Sequence, residues 1–192
     1  MDTKNIYIAD CLISMTGCAS QLEKDKKKTY ELYLRAWNSV KQVRDLCDLN
    51  FEFEEEKMET FYSTWAEILE ERLDAATDKK SESYLADKEI LLEVYVCLLS
   101  HLENSQSVDR DVILSNCATI YYEEKLYVNA LANFNQMNGD EMLSFNNLAL
   151  TYLHLHEHYM ANRYITEAAQ DSLDVIETFN KGVIMWIYGF SD

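Results

Sequence analysis

Three groups of side chains in this sequence have the types that do chemistry. In "TIYYEEKLY", Thr119 to Tyr127, two tyrosines stand directly before Glu123 and Glu124. In "HLHEHY", three histidines alternate with other residues at His154, His156 and His158. Five cysteines, Cys11, Cys18, Cys47, Cys97 and Cys117, are scattered through the rest. Paired carboxylates would serve general acid/base work, clustered imidazoles a metal, and thiols a metal, a disulfide or a nucleophile.

Spacing argues against most of this. Neighbours on a helix diverge by about 100°, so Glu123 and Glu124 do not converge on one bond as acid/base pairs must. His154 and His158 would share a metal only if one helix ran through both. A turn is expected near 156–158, and no H-E-x-x-H spacing exists. The cysteines are odd in number, form no C-x-x-C pair and lie among apolar helical residues. They read as reduced core thiols, with Cys11 and Cys18 sharing one helix face through packing. There is no nucleophile elbow, P-loop or Gly-rich dinucleotide turn. The expectation is a protein that is not an enzyme, with no metal and no cofactor.

The elements that must position these residues are legible in the composition. The chain has 192 residues, 48% of them apolar and 12% aromatic, with no proline and four glycines. That composition suits helices joined by short polar loops rather than a turn-rich sheet. The formal charge of −17 would repel a nucleic-acid backbone or an anionic membrane and favours cationic partners. "MDTKNIYIADCLISM" carries an acid inside its apolar run and no basic start, so no signal peptide is expected. "YVCLL" and "VIMWIY" are too short to span a bilayer. A cytoplasmic location is expected.

Apolar residues recur at three- and four-residue spacing and predict helices over 3–22, 28–49, 53–76, 82–104, 109–125, 127–137, 141–156, 158–170 and 173–189. "EKDKKKT" reads as a charged linker, Ser81 as an N-cap, Gly139 as a C-cap and Asp140 as the next N-cap. Asn116, Ala118, Tyr121 and Ala130 recur 31 residues later as Asn147, Ala149, Tyr152 and Ala161. Small residues at crossings with a tyrosine wedge are the pattern of stacked helical hairpins. The expected fold is all-α: one domain over 1–192, with about nine antiparallel helices stacked as hairpins into a concave, tetratricopeptide-like superhelical cup. The last helix is apolar nearly all round and reads as a partner-binding wall.

Four stretches, "ELYLRAWNSVKQVRD", "NSQSVDRDVILSNCATIYYEEK", "YVNALANFNQMNGDEMLSFNNLALTYL" and "FNKGVIMWI", are similar in order to signatures of the 14-3-3 family. The resemblance implies a non-catalytic adaptor with a groove for phosphoserine or phosphothreonine peptides. There guanidinium, ammonium and phenol groups compensate the phosphate charge. Carried over by position, the family's groove lysine falls on Asn38 and the first arginine of its pair on Arg44. The phosphate-holding second arginine falls on Asp45, and an Arg-Tyr pair falls on Glu123 and Glu124. A phosphate facing these carboxylates is repelled, by roughly 4 kcal/mol per close pair at intermediate dielectric. Lys41 and Arg44 form a shifted basic pair, although Lys41 and Asp45, four apart, are spaced to satisfy each other.

The other wall keeps apolar character at Leu150, Val183 and Ile187, with Thr151 and His154 beside them and a second polar position near Ser191. An acidic wall facing an apolar one suits a basic or amphipathic protein segment. The helices that build the family's dimer interface have no good match, so the resemblance does not carry dimerisation. The expectation is therefore a 14-3-3-like adaptor with a degenerate phosphate pocket. The alternative is a tetratricopeptide-like scaffold or chaperone that binds through residues 109–170.

Overall fold

The structure, a computed structural model, describes residues 3–22, 25–46, 55–102, 108–137, 142–170 and 180–183. It is all-α, with no strand among these residues. The elements run α1 (Thr3–Leu22), α2 (Lys26–Leu46), α3 (Glu55–Ala75), α4 (Glu82–His101), α5 (Val108–Glu123), α6 (Tyr127–Phe134), α7 (Met142–His154) and α8 (His158–Gln170). Residues 180–183 are also helical. The expected caps Gly139 and Asp140, most of the expected last helix including Ile187, and the polar position near Ser191 lie outside the described residues. The chain divides into two compact units, Met1–His101 and Leu102–Asp192.

In the first unit α1 packs on α2 and α3, and α3 packs on α4. Helix starts follow from side chains that take orphan amides. The Asp25 carboxylate accepts from the Lys27 and Lys28 amides at 3.2 and 3.4 Å, and the Lys28 amide above all holds that carboxyl below the usual carboxylate range. Asp25 therefore caps α2, and the lysines expected to be linker form its first turn. Ser81 Oγ accepts from the Tyr84 amide at 3.3 Å, capping α4 three residues on.

The core is strongly aromatic. Tyr33, Trp37, Phe61, Tyr62 and Trp65 are all buried, and the Tyr33 ring stacks on Phe61 and on Trp65, each with centroids 5.5 Å apart. Offset stacks of this kind add about 0.5–1.5 kcal/mol each beyond burial. Polar straps tie the helices across it. Asp87, 4% exposed, accepts from Tyr30 Oη at 2.6 Å and from Arg72 Nε and Nη2, each at 3.0 Å. Glu70 accepts from the buried Tyr95 hydroxyl.

The cysteines divide. Cys97 and Cys117 are buried, but Cys11 and Cys18 are exposed, which corrects the expectation that these two are core thiols. Their shared face is real, but it is the outer one: Ile6, Ala9 and Ile13 supply the inner stripe of α1, with Ile6 and Ala9 clustered on Val43. Burial pushes the Cys117 thiol up to about 12, which keeps it protonated and unreactive.

Candidate functional site

The second unit repeats itself in backbone as well as sequence. At the end of α5 the Lys125 amide donates to Tyr122 O at 3.0 Å and the Leu126 amide to Tyr121 O at 2.9 Å. At the end of α7 the His156 amide donates to Leu153 O at 3.1 Å and the Glu157 amide to Tyr152 O at 2.9 Å. Each pair is the closing bond set of a Schellman cap. The residue at its centre is left-handed in both, Lys125 at φ 62° and His156 at φ 61°. The following residue opens the next helix, since Leu126 O accepts from the Ala130 amide and Glu157 O from the Ala161 amide. Every member of one turn lies 31 residues from its counterpart.

The side chains agree with the backbone. Ala118, Ala130, Ala149 and Ala161, the small residues of the sequence repeat, are all 0% exposed. Ala118 and Ala130 cluster with Phe134 and Leu148, and Tyr121 and Tyr152 wedge against that cluster. A methyl group at each crossing lets the paired helices approach closely. The short reversals then make α5–α6 and α7–α8 antiparallel hairpins.

The 31-residue register matches two lines of side chains. Asn116, Thr119 and Glu123 on α5 correspond to Asn147, Leu150 and His154 on α7, each line at three- and four-residue spacing on one helix face. Thr119, Glu123 and His154 are exposed, and Asn116, Asn147 and Leu150 half-buried. A small cavity of about 70 Å³ between the helices is lined by Thr119, Tyr122, Phe134, Asn147 and Leu150. An aromatic trio closes one end. His154 stacks flat on Tyr127, with centroids 4.6 Å apart and planes 3° apart, and Tyr122 meets His154 edge-on at 5.4 Å. Tyr122 also meets Tyr127 edge-on at 5.5 Å. The rings pack on one another, so they form a rigid apolar shelf and not an open cage. Burial, with Tyr127 next to it, raises the Tyr122 phenol.

The residues singled out in the sequence fall as follows. Asn38, Lys41, Arg44 and Asp45 belong to the first unit, and Glu123, Glu124, Leu150, Thr151, His154 and Val183 to the second. Asn38 is exposed on α2; the side chains of Arg44 and Asp45 lie outside the described residues. Lys41 Nζ donates to both carboxylate oxygens of Glu93, at 2.8 and 2.7 Å, and lies 5.9 Å from the Trp37 ring centroid. Glu93 lies on α4, so the ammonium is already paired across two helices. Glu123 is the last residue of α5 and Glu124 lies in the turn, both exposed.

Leu150 and His154 join the aligned face. Thr151 does not, because it is 0% exposed and its hydroxyl donates to Asn147 O at 2.7 Å. Val183 is half-buried on the helical stretch 180–183, which Asn180 ties to Asn146 Oδ1 through a 2.9 Å hydrogen bond. His154 ends α7 and His158 begins α8, so the two imidazoles stand on opposite sides of a chain reversal. Thr119 and Tyr127 carry no expected role in the sequence; the 31-residue register matches Thr119 with Leu150 and could have found it. The stacking of Tyr127 on His154 does not follow from that register, which pairs Tyr127 with His158.

The sequence matches no protein-family profile and no curated protein. Among solved structures, the chain is similar to the crystal structure of BtubC (BKLC) from P. vanneervenii, at 18% identity and a TM-score of 0.49, over 92% of this chain and 72% of that one.

Proposed function

We propose that this chain is a non-catalytic protein-interaction scaffold that takes a basic or amphipathic segment of another protein on the shared face of α5 and α7. The 31-residue repetition of helix, left-handed cap and helix supports the tetratricopeptide-like version of this reading. It matches Asn116, Thr119 and Glu123 in register with Asn147, Leu150 and His154, and Thr119, Asn147 and Leu150 line one small cavity, a layout suited to reading successive residues of a bound segment. Asparagine side chains offer both a donor and an acceptor to a peptide backbone. Leu150 and the Tyr122–Tyr127–His154 shelf offer apolar anchorage, and Glu123 with Glu124 selects cations over anions.

The 14-3-3-like version is a second reading of the same class, an adaptor with a degenerate phosphate pocket. The engagement of Lys41 by Glu93 favours its central point, the loss of the phosphate grip, because the cation that could shift into place is already held. Titrating the full chain with a labelled basic amphipathic peptide and its phosphoserine twin tests both. The unphosphorylated peptide is expected to bind at least as tightly. The exposed change Thr119→Arg, which sets a cation beside the anchor, is expected to weaken it by about tenfold. A clear preference for the phosphopeptide contradicts the loss of grip, and unchanged binding by Thr119→Arg contradicts the placement.

A further inference from the structure

We propose that the first unit carries a binding site for a small organic monoanion, a carboxylate on a flat apolar body, in the cavity between the start of α2 and the end of α3. The cavity measures about 440 Å³, within the range of small-ligand sites. Lys26 and Lys27 line it from α2, and Ile68, Glu71 and Arg72 from α3, with Thr29 and Thr64 between them. Three cations against Glu71, with Asp87 held on Arg72, leave one net positive charge here, in a chain of net charge −17. One anionic head group balances it.

The three cations are prepared to different degrees. Arg72 is fixed in advance. Its Nε and Nη2 both donate to buried Asp87, and its guanidinium lies 3.8 Å over the Tyr30 ring. The N–H groups left over belong to a guanidinium that needs no further ordering when a ligand arrives, which favours affinity. Lys26 rests 2.7 Å from Glu71, but their side chains are 87% and 65% exposed. Such a pair is worth little and opens easily toward a better acceptor. The Lys27 ammonium is exposed and forms no ion pair among the described residues.

The helix end itself is not the anion holder, because Asp25 already takes the Lys27 and Lys28 amides. The side chains are. A structural strap accounts for Arg72, Asp87 and Tyr30, but not for two further lysines on the same cavity. Ile68, the threonine methyls and the lysine stems supply the apolar lining that a flat body needs.

Calorimetric titration of the full chain with 2-naphthoate, and with 2-naphthylmethylamine as the same body bearing the opposite charge, tests this. Saturable one-to-one binding of the carboxylate is expected, with the amine at least about tenfold weaker. The double variant Lys26→Glu, Lys27→Glu changes two exposed side chains. It is expected to weaken naphthoate by about tenfold or more while the unfolding midpoint stays close to that of the parent. Absence of saturable binding, equal binding of the amine, or a charge-reversed variant that binds as before overturns the proposal.

Discussion

Replacing Lys125 and His156 with glycine should stabilise this protein, although both are surface residues with little else to lose. Each holds a left-handed backbone, at φ 62° and 61°, that costs a side-chain-bearing residue about 1–2 kcal/mol and glycine almost nothing. Against that gain stands the extra freedom of glycine in the unfolded chain, about 0.4–1 kcal/mol. The net expectation is a gain of about 0.5–1 kcal/mol for Lys125→Gly and the same for His156→Gly. The two turns are separate, so the double variant should sum the two. Thermal unfolding of the full chain by circular dichroism reads this as a rise of about 2–4 °C per kcal/mol. Urea unfolding reads it as a higher midpoint at unchanged slope. Glu123→Gly, at the last helical position of α5, is the control and should lose up to about 1 kcal/mol. If either glycine at a cap destabilises, or all three variants behave alike, the shared turn geometry is not what closes these hairpins.

Two further outcomes follow from the cores of the units. Burial and the Asp87 carboxylate push the Tyr30 phenol up to about 12 from an ordinary 10.0. A proton held more tightly in the folded state stabilises below the unfolded value and is lost above it, so this contribution should fade between about pH 10 and 12. After discounting for partial exposure it amounts to about 1–2 kcal/mol. Denaturant midpoints across that range should fall faster for the parent than for Tyr30→Phe, and parallel curves would refute the assignment. Ala118→Leu and Ala149→Leu occupy equivalent, fully buried crossings and should each cost about 1–3 kcal/mol by overpacking; one neutral variant would mean the two hairpins are not packed alike.

The sequence carried the all-α fold and the hairpin repeat because both rest on spacing: apolar positions every third or fourth residue, and alanines that return after 31. It placed the breaks near 126 and 157 but did not carry the left-handed caps that close them. Neither Lys125 nor His156 is a glycine, and the bonds that stabilise their caps are backbone bonds that any sequence can make. The start of α2 was hidden for a related reason. A lysine run reads as linker by composition, and one capping carboxylate, Asp25, turns it into a helix.

Pairings distant in sequence were the least legible. Lys41 holds Glu93, 52 residues away on α4, a pairing that no local spacing signals. Cys11 and Cys18 share a face by periodicity, but only the packing of Ile6 and Ala9 against Val43 decides that this face points outward. Arg72 joins Lys26 and Lys27 in one cavity through helix packing alone.

The most direct measurement of the proposed scaffold function is amide hydrogen exchange of the full chain with and without excess basic amphipathic peptide. Slowing concentrated over Asn116–Glu123 and Asn147–His154 is the expected result. No slowing at any peptide concentration, or slowing confined to α1–α4, contradicts the account.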